Sequence, residues 1–241
     1  MRGKRKPGAP GKGGEESDLA RALPCDSPLH AIPDFERISV SKIYPRSAVL
    51  FVEGQTAHGV YVLCTGRAKV SISSAEGKKL IIRIAQPGDV LELHAGLGGG
   101  AYGATAEMLQ SGRVDFAPRK ELLGLLKRQN SFGLDLVRVL SREISECVDH
   151  ARLLLLSGSA VEKLARLILK WNRDFGERTT GGVRLRMLLT QEEIAQIIGA
   201  SRETVTRLLG ILKRKQIIRV NEGAMLVRNR AALASLANLS R

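Results

Sequence analysis

The sequence lacks any run of about 18 uncharged apolar residues, the length that a membrane-spanning helix requires. We therefore expect no membrane partner. The basic opening, MRGKRKPGAPGKGG, is followed by acidic and proline-containing sequence rather than by the apolar core of a secretory signal. These two absences together predict a cytoplasmic protein.

Cysteine is also scarce, because the chain has only Cys25, Cys64 and Cys147. Their odd number and wide spacing predict neither a disulfide framework nor a CxxC metal site. We expect a reducing compartment and no bound metal.

Catalytic motifs are missing as well. No nucleophile motif, metal-ligand spacing or dinucleotide fingerprint is present, and the glycines of GLGGG lack the Lys-Ser/Thr that follows in a phosphate-binding loop. The sequence therefore predicts that the protein is not an enzyme.

Positive charge is abundant, with 38 Lys and Arg against 24 Asp and Glu. The segment 159–241 holds 16 Lys and Arg against 7 Asp and Glu, a net charge of +9. Such a surface can neutralise phosphates, although a merely solvated basic face has the same composition.

The first two thirds of the chain divide into a tail and a strand-rich unit. Residues 1–33 are rich in Gly, Pro and charge, which predicts a basic flexible tail. Residues 34–133 carry short apolar runs separated by glycines, and Ala68, Val70 and Ile72 alternate with polar residues, as in a half-buried strand. We expect a compact β-barrel or β-roll.

A helix with a period of 3.5 residues is predicted over 134–157. Its apolar stripe is typical of a two-helix seam, and the alternative is that the stripe packs on the β-roll of its own chain. The stripe consists of Val137, Leu140, Ile144, Cys147, Ala151 and Leu154. A flexible hinge at Ser157, Gly158 and Ser159 would separate this helix from a last domain, 158–241. A redox disulfide between two copies of Cys147 is a further possibility at such a seam.

Two adjacent helices with opposite polar and apolar faces are predicted near the C-terminus. Thr190 and Glu193 have the spacing of a capping box, Gly199 permits a tight turn, and Ser201 can cap the second helix. The exposed side of that second helix places forked donors and a carboxylate where base edges would lie. Beyond it, two short strands around NEG would form a wing. We assign DNA contacts to Thr190, Gln191, Ser201, Arg202, Glu203, Thr204, Thr206 and Arg207.

This order of parts, ending in SRETVTRLL, closely resembles the Crp/Fnr family of bacterial transcription regulators over about residues 35–236. The resemblance implies an α+β protein with an N-terminal cyclic-nucleotide-binding-type β-roll over 34–133 that serves as the effector or sensor domain, a long dimerisation helix and a C-terminal winged helix-turn-helix. It places the base-reading side chains at Arg202, Glu203 and Arg207. It also implies a homodimer on double-stranded DNA with TGTGA-like inverted half-sites, and RNA polymerase as a protein partner. A winged domain that binds protein instead of DNA is the competing interpretation.

The expected effector pocket departs from the family's cAMP pattern. The Gly-Glu and Arg-Ser/Thr pairs of cAMP-binding members are replaced, which would leave a nucleotide phosphate without a forked cation. The corresponding residues are Glu92, Leu93, His94, Gly103, Ala104 and Thr105. The family's adenine-reading pair falls near Val148 and Asp149. We therefore expect weak or absent cAMP binding.

Two other sensor types of the family, with haem and with an iron-sulfur cluster, bind their cofactors through histidine and cysteine residues. His94 resembles the haem ligand of the carbon-monoxide sensor, so haem is a minor alternative cofactor, although a histidine at a strand end usually has a structural role. Iron-sulfur sensors need several N-terminal cysteines, and Cys25 alone cannot supply them.

Overall fold

A computed structural model describes residues 25–128, 132–186, 189–221 and 223–238. Within these residues the chain forms a β-roll, a long helix and a smaller mixed domain, in the predicted order. None of the described helices has both the length and the hydropathy needed to cross a membrane. The expected α+β class is confirmed.

The β-roll consists of two four-stranded antiparallel sheets with the orders β1-β8-β3-β6 and β2-β7-β4-β5. Its strands are β1 (Val40–Tyr44), β2 (Val49–Phe51), β3 (Gly59–Leu63), β4 (Arg67–Ser73), β5 (Lys79–Ala85), β6 (Val90–Leu91), β7 (Thr105–Gln110) and β8 (Gly112–Pro118). The first sheet packs one apolar side against short helices, and a second apolar cluster, around Phe51, Leu91 and Met108, combines residues of both sheets. The alternation predicted in β4 holds for Ala68 and Val70, and then shifts at a bulge between Val70 and Ser71.

The end of the predicted tail is part of the folded roll. Residues Pro28–Ala31 form a 3-10 helix that Ser27 caps, and Leu29 in it is fully buried. Helix α1 (Phe35–Ile38) follows and buries Phe35. The boundary placed at residue 33 is therefore too late, because apolar side chains within PLHAIP pack on the roll. Residues 1–24 of the expected tail lie outside the described residues.

The prediction that the cysteines form no disulfide is wrong. Cys25 and Cys64 are joined by a disulfide, although 39 residues separate them in the sequence. The spacing of the cysteines could not indicate this bond, because the two meet only when residues 25–31 pack on the roll. Cys147 is free and exposed.

Three further helices follow. Helix α2 (Leu93–Gly98) lies between β6 and β7, and α3 (Arg119–Arg128) and α4 (Phe132–Leu155) come after β8. Helix α4 has two apolar sides. Leu136 and Val139 are buried against the roll, whereas Val137 and Ile144 are 57% and 64% exposed. Of the predicted seam residues, Cys147 and Ala151 are also exposed, and Leu140 and Leu154 are half-buried. The single chain thus leaves most of the stripe uncovered.

The last domain contains α5 (Ala160–Phe175), β9 (Glu177–Thr179), β10 (Gly182–Arg186), α6 (Gln191–Ile198), α7 (Arg202–Arg214), β11 (Ile218–Asn221), β12 (Ala224–Val227) and α8 (Arg230–Leu236). Its strands form one sheet with the order β11-β12-β10-β9. Helix α5 begins where predicted, because the Ser159 side chain accepts a hydrogen bond from the Glu162 backbone N–H. Leu164, Ile168 and Met225 are fully buried in the core of this domain.

Candidate nucleic-acid interface and effector pocket

The first helix of the predicted pair, α6, starts at a complete capping box. Thr190 Oγ1 accepts a hydrogen bond from the Glu193 backbone N–H at 3.1 Å, and Glu193 Oε2 accepts one from the Thr190 backbone N–H at 2.8 Å. The helix ends at Gly199, whose φ of +64° is the left-handed conformation that favours glycine. Both predicted features of this turn are confirmed.

The second helix, α7, divides sharply into a buried and an exposed side. Ser201 Oγ accepts a hydrogen bond from the Thr204 backbone N–H at 3.2 Å and so caps the helix. The buried residues are Val205, Leu208, Leu209 and Leu212, as predicted from their spacing. The first two turns expose Arg202, Glu203, Thr206 and Arg207. The amino end of α7 therefore presents two guanidinium groups and a carboxylate on one solvent-facing surface.

Local contacts keep this surface ordered and charged. The Thr206 hydroxyl donates a hydrogen bond to the Gln191 side chain, which joins the first residue of α6 to α7. Hydrogen bonds from its own backbone N–H and from Ser201 lower the pKa of Glu203, so its carboxylate is ionised at neutral pH. Thr204 is half-buried and contacts Ser201.

The winged hairpin predicted after α7 is present as β11 and β12, which pair antiparallel from Ile218 with Val227 to Asn221 with Ala224. Of the predicted turn Asn221-Glu222-Gly223, residue 222 lies outside the described residues. Gly223 has a φ of +68° with open space around it, as a tight turn allows.

An ion-pair network that no local sequence pattern indicates links the helix pair to the roll. Lys69 on β4 lies 2.8 Å from Glu193 and 3.1 Å from Glu107. Burial alone would lower the pKa of Lys69, but its two carboxylate partners raise it above its usual value. The Glu193 carboxylate therefore serves both the capping box and the contact between the domains. Because 124 residues separate Lys69 from Glu193, only the folded chain reveals the pair.

The predicted effector residues lie around the start of α2. Glu92 Oε2 accepts a hydrogen bond from the Gly103 backbone N–H at 2.9 Å and lies 3.5 Å from His94 Nε2. The Glu92 carboxylate thus already accepts the hydrogen bond of the Gly103 backbone N–H, which a ligand would otherwise receive. Leu93 and Ala104 are buried and point no polar atom into this site, whereas Thr105 Oγ1 accepts from the Glu53 backbone N–H.

His94 was predicted to lie at a strand end, and that prediction is wrong. It is the second residue of helix α2, and its side chain is 63% exposed. Glu92, immediately before the helix, has a φ of +57°, which turns the chain from β6 into α2.

A half-buried charge cluster that no local sequence pattern indicates joins the roll to the long helix. Arg83 on β5 forms ion pairs with Asp89 at 3.3 Å, Glu146 at 3.3 Å and Glu143 at 3.7 Å. Burial raises the pKa of Glu143 to about 7, since Arg83 only partly offsets the desolvation and the nearby carboxylates, first among them Glu92, add to it. Through Glu92 and Glu143, the candidate pocket is electrostatically coupled to α4.

The predicted hinge is a short bend between α4 and α5. Ser157 is buried, and the Gly158 backbone N–H donates to Glu162 Oε2 at 3.0 Å. Ser159 is exposed and caps α5. Hydrogen bonds at Gly158 and Ser159 therefore define the bend in this conformation.

Comparisons with known proteins agree with this architecture. A model of the Crp-like helix-turn-helix domain matches residues 162–236, and one of the cyclic nucleotide-binding domain matches residues 41–129. The anaerobic regulatory protein of Bacillus subtilis (strain 168) is 26% identical over 193 residues, which are 80% of this chain and 81% of that protein. The fumarate and nitrate reduction regulatory protein of Escherichia coli (strain K12) is 27% identical over 205 residues, or 85% and 81% of the two chains. The solved structure of FixK2 from Bradyrhizobium japonicum superposes with a TM-score of 0.72 at 23% identity, covering 83% of this chain and 97% of that one.

These matches cover both the roll and the helix-turn-helix, in the same order as the structure. The two relatives are named as regulatory proteins and the C-terminal match is to a helix-turn-helix domain, so the prediction of a regulator rather than an enzyme is confirmed. The chain belongs to the Crp/Fnr family of transcription regulators.

Proposed function

We propose that this regulator binds double-stranded DNA as a homodimer, reading one half of an inverted repeat with the amino end of each α7. The observation that carries the proposal is the division of that helix, whose apolar side is buried while Arg202, Glu203 and Arg207 are exposed at its capped start. By family resemblance, RNA polymerase is the expected protein partner at the promoter.

The exposed groups have the chemistry of base readout. An arginine can donate two hydrogen bonds to guanine O6 and N7, and a glutamate can accept one from the cytosine N4 amino group. The helix N-terminus favours the approach of a phosphate nearby. The Thr190 and Gln191 side chains, at the start of the neighbouring helix α6, can contact the backbone and fix the register.

The uncovered stripe on α4 supports the homodimer. Val137, Ile144 and Val148 are large apolar residues exposed in the single chain, and their helix is anchored to the roll through its other side. Pairing of two such helices would bury the stripe and place the two α7 helices on one side of the dimer. For an inverted repeat read in successive major grooves, the readers must lie about 34 Å apart. The bend at residues 157–159 is the point about which the winged domains would adjust that spacing.

DNA binding is tested by fluorescence anisotropy with a labelled duplex carrying inverted TGTGA-like half-sites and a scrambled duplex of equal length. Arg202→Ala and Arg207→Ala are each expected to weaken specific binding by about 1 to 3 kcal/mol, or roughly 5- to 150-fold. Arg37→Ala, which removes an exposed arginine from the roll, is the matched control and leaves affinity unchanged. Affinity for the specific duplex should also fall steeply as salt rises. Equal binding of both duplexes by the parent and both variants would refute the assignment.

The oligomeric state is tested by sedimentation velocity at several concentrations. Ile144→Glu places a carboxylate in the middle of the exposed stripe and is expected to give monomers, because a buried unpaired charge opposes association. Ser145→Glu adds the same charge at an exposed polar residue on the same turn, outside the stripe, and should remain dimeric. A parent protein that sediments as a monomer at micromolar concentration would exclude this dimer.

We further propose that cAMP does not act as the effector. The Gly103 and Ala104 positions offer no cationic side chain for a cyclic phosphate, and the nearby Glu92 carboxylate would repel it. Calorimetric titration with cAMP should therefore show no micromolar binding, and a micromolar affinity would overturn the proposal. A haem chromophore in the purified protein that disappears in His94→Ala would assign the pocket to haem instead.

A further inference from the structure

Four potential metal ligands meet at one place in the roll, on three separate segments of the chain. Cys25 and His30 flank the start of the 3-10 helix, Cys64 follows β3, and Asp115 lies on β8. One ligand atom from each side chain lies within 4.8 Å of the other three. We call this group the Cys-His cluster. It is distinct from the candidate effector pocket and from the DNA-reading surface.

The cluster is enclosed, and one of its polar atoms is unused. The side chains of His30 and Asp115 are 7% and 0% exposed, and Cys64 is buried. His30 Nε2 lies 2.8 Å from Asp115 Oδ2, whereas His30 Nδ1 is buried without a hydrogen-bond partner among the described residues. If the Nε2 hydrogen is donated to Asp115, the imidazole retains a lone pair on Nδ1 that these residues leave unsatisfied.

Arg113 fixes the carboxylate that orients this histidine. Its Nε donates to Asp115 Oδ1 at 2.8 Å, and its Nη2 lies 2.5 Å from Oδ2. A carboxylate hydrogen-bonded to a histidine in this way is the usual outer partner of a metal-bound imidazole. The cluster therefore contains two sulfur ligands, one nitrogen ligand and an orienting carboxylate.

We propose that, when the Cys25–Cys64 disulfide is reduced, the Cys-His cluster binds one zinc-type divalent cation through Cys25, Cys64 and the His30 ring, with Asp115 positioning the ring. Thiolate and imidazole ligands select zinc over magnesium or calcium. Tetrahedral zinc with bonds of about 2.0 to 2.3 Å places its ligand atoms about 3 to 4 Å apart, so the cluster needs only small side-chain movements. Two cysteines are too few for the four thiolates of a standard iron-sulfur cluster.

The disulfide and the metal site are the oxidised and reduced forms of the same group. A dithiol reductant supplies two electrons and two protons, which break the S–S bond and leave thiols at Cys25 and Cys64. Binding of the cation then displaces both thiol protons to solvent. In either form the covalent or metal link holds residues 25–31 on the roll.

The test uses the full-length protein, reduced with a phosphine under anaerobic conditions and titrated with Zn²⁺ by calorimetry and with Co²⁺ by absorption spectroscopy. We expect one tightly bound ion per chain and a sulfur-to-cobalt charge-transfer band. Cys25→Ser and Cys64→Ser each remove one of the two sulfur ligands, so each should weaken the band and weaken Zn²⁺ binding at least 100-fold. Cys147→Ser, which removes the exposed cysteine outside the cluster, should behave as the parent.

Asp115→Asn separates positioning from ligation. We expect it to weaken Zn²⁺ binding about 10- to 100-fold while the charge-transfer band remains, because both sulfurs are retained. Circular dichroism of each variant establishes that the roll is folded, and His30→Gln provides a second ligand variant. No Zn²⁺ binding by the folded, reduced parent, binding of unchanged affinity in Cys25→Ser, or an iron-sulfur chromophore in the purified protein would each overturn the proposal.

Discussion

Replacing Glu143 by glutamine should change how the stability of the protein depends on pH. Glu143 on α4 is paired with Arg83 at 3.7 Å and is repelled electrostatically by the carboxylates of Glu92, Glu146 and Asp89. Burial, the largest effect, raises its pKa from 4.5 to about 7 in the folded chain. In the unfolded chain the group returns to its ordinary value, so the folded state binds the proton more tightly.

The magnitude follows from this difference in pKa. At about 1.4 kcal/mol per pKa unit, ionisation of Glu143 destabilises the folded state by roughly 3 kcal/mol. Protonated Glu143 contributes its full stabilisation of the folded state below about pH 4.5, and this stabilisation is lost as the pH rises through about 7. Glutamine cannot ionise. The stability of Glu143→Gln relative to the parent should therefore increase by roughly 2 to 3 kcal/mol between about pH 4.5 and pH 8, the lower figure allowing for readjustment of Glu146.

Urea unfolding at fixed protein concentration, followed by circular dichroism at several pH values, measures this difference. Glu121→Gln removes an exposed carboxylate from α3 and is the control, for which the difference from the parent should not vary with pH. If Glu143→Gln and the parent differ by the same free energy at pH 4.5 and at pH 8, then Glu143 does not carry the raised pKa and the reasoning is wrong.

Two further predictions concern the packing and the caps. Thr190→Ala removes the side chain that accepts the Glu193 backbone N–H and should lower the free energy of unfolding of the winged domain by about 1 kcal/mol, whereas Thr190→Ser should retain it; equal melting curves for all three proteins would contradict this. Gly59→Ala would place a Cβ atom 2.2 Å from the Ala117 carbonyl oxygen and 2.7 Å from the Phe116 ring. We expect this substitution to lower the free energy of unfolding of the roll by about 1 to 3 kcal/mol. Gly98→Ala should leave that free energy unchanged, because its Cβ would meet no atom within 4 Å.

The sequence alone determined the features that depend on neighbours along the chain. The Thr190 capping box, the turn at Gly199 and the burial of Val205 and Leu208 follow from side-chain spacing and backbone preferences within a few residues. For the same reason the order of roll, long helix and winged domain was predictable, and the exposed side of α7 could be named residue by residue.

Only the tertiary structure decided which distant residues meet. Cys25 and Cys64, or Lys69 and Glu193, have no relation in sequence that a local pattern could detect, because the packing of sheets and helices sets their distance. Apolar spacing likewise showed a stripe on α4 but not which of its sides the roll would cover. The pKa of Glu143 depends on burial by elements far away in the chain, and burial is a property of the fold rather than of the sequence around one residue.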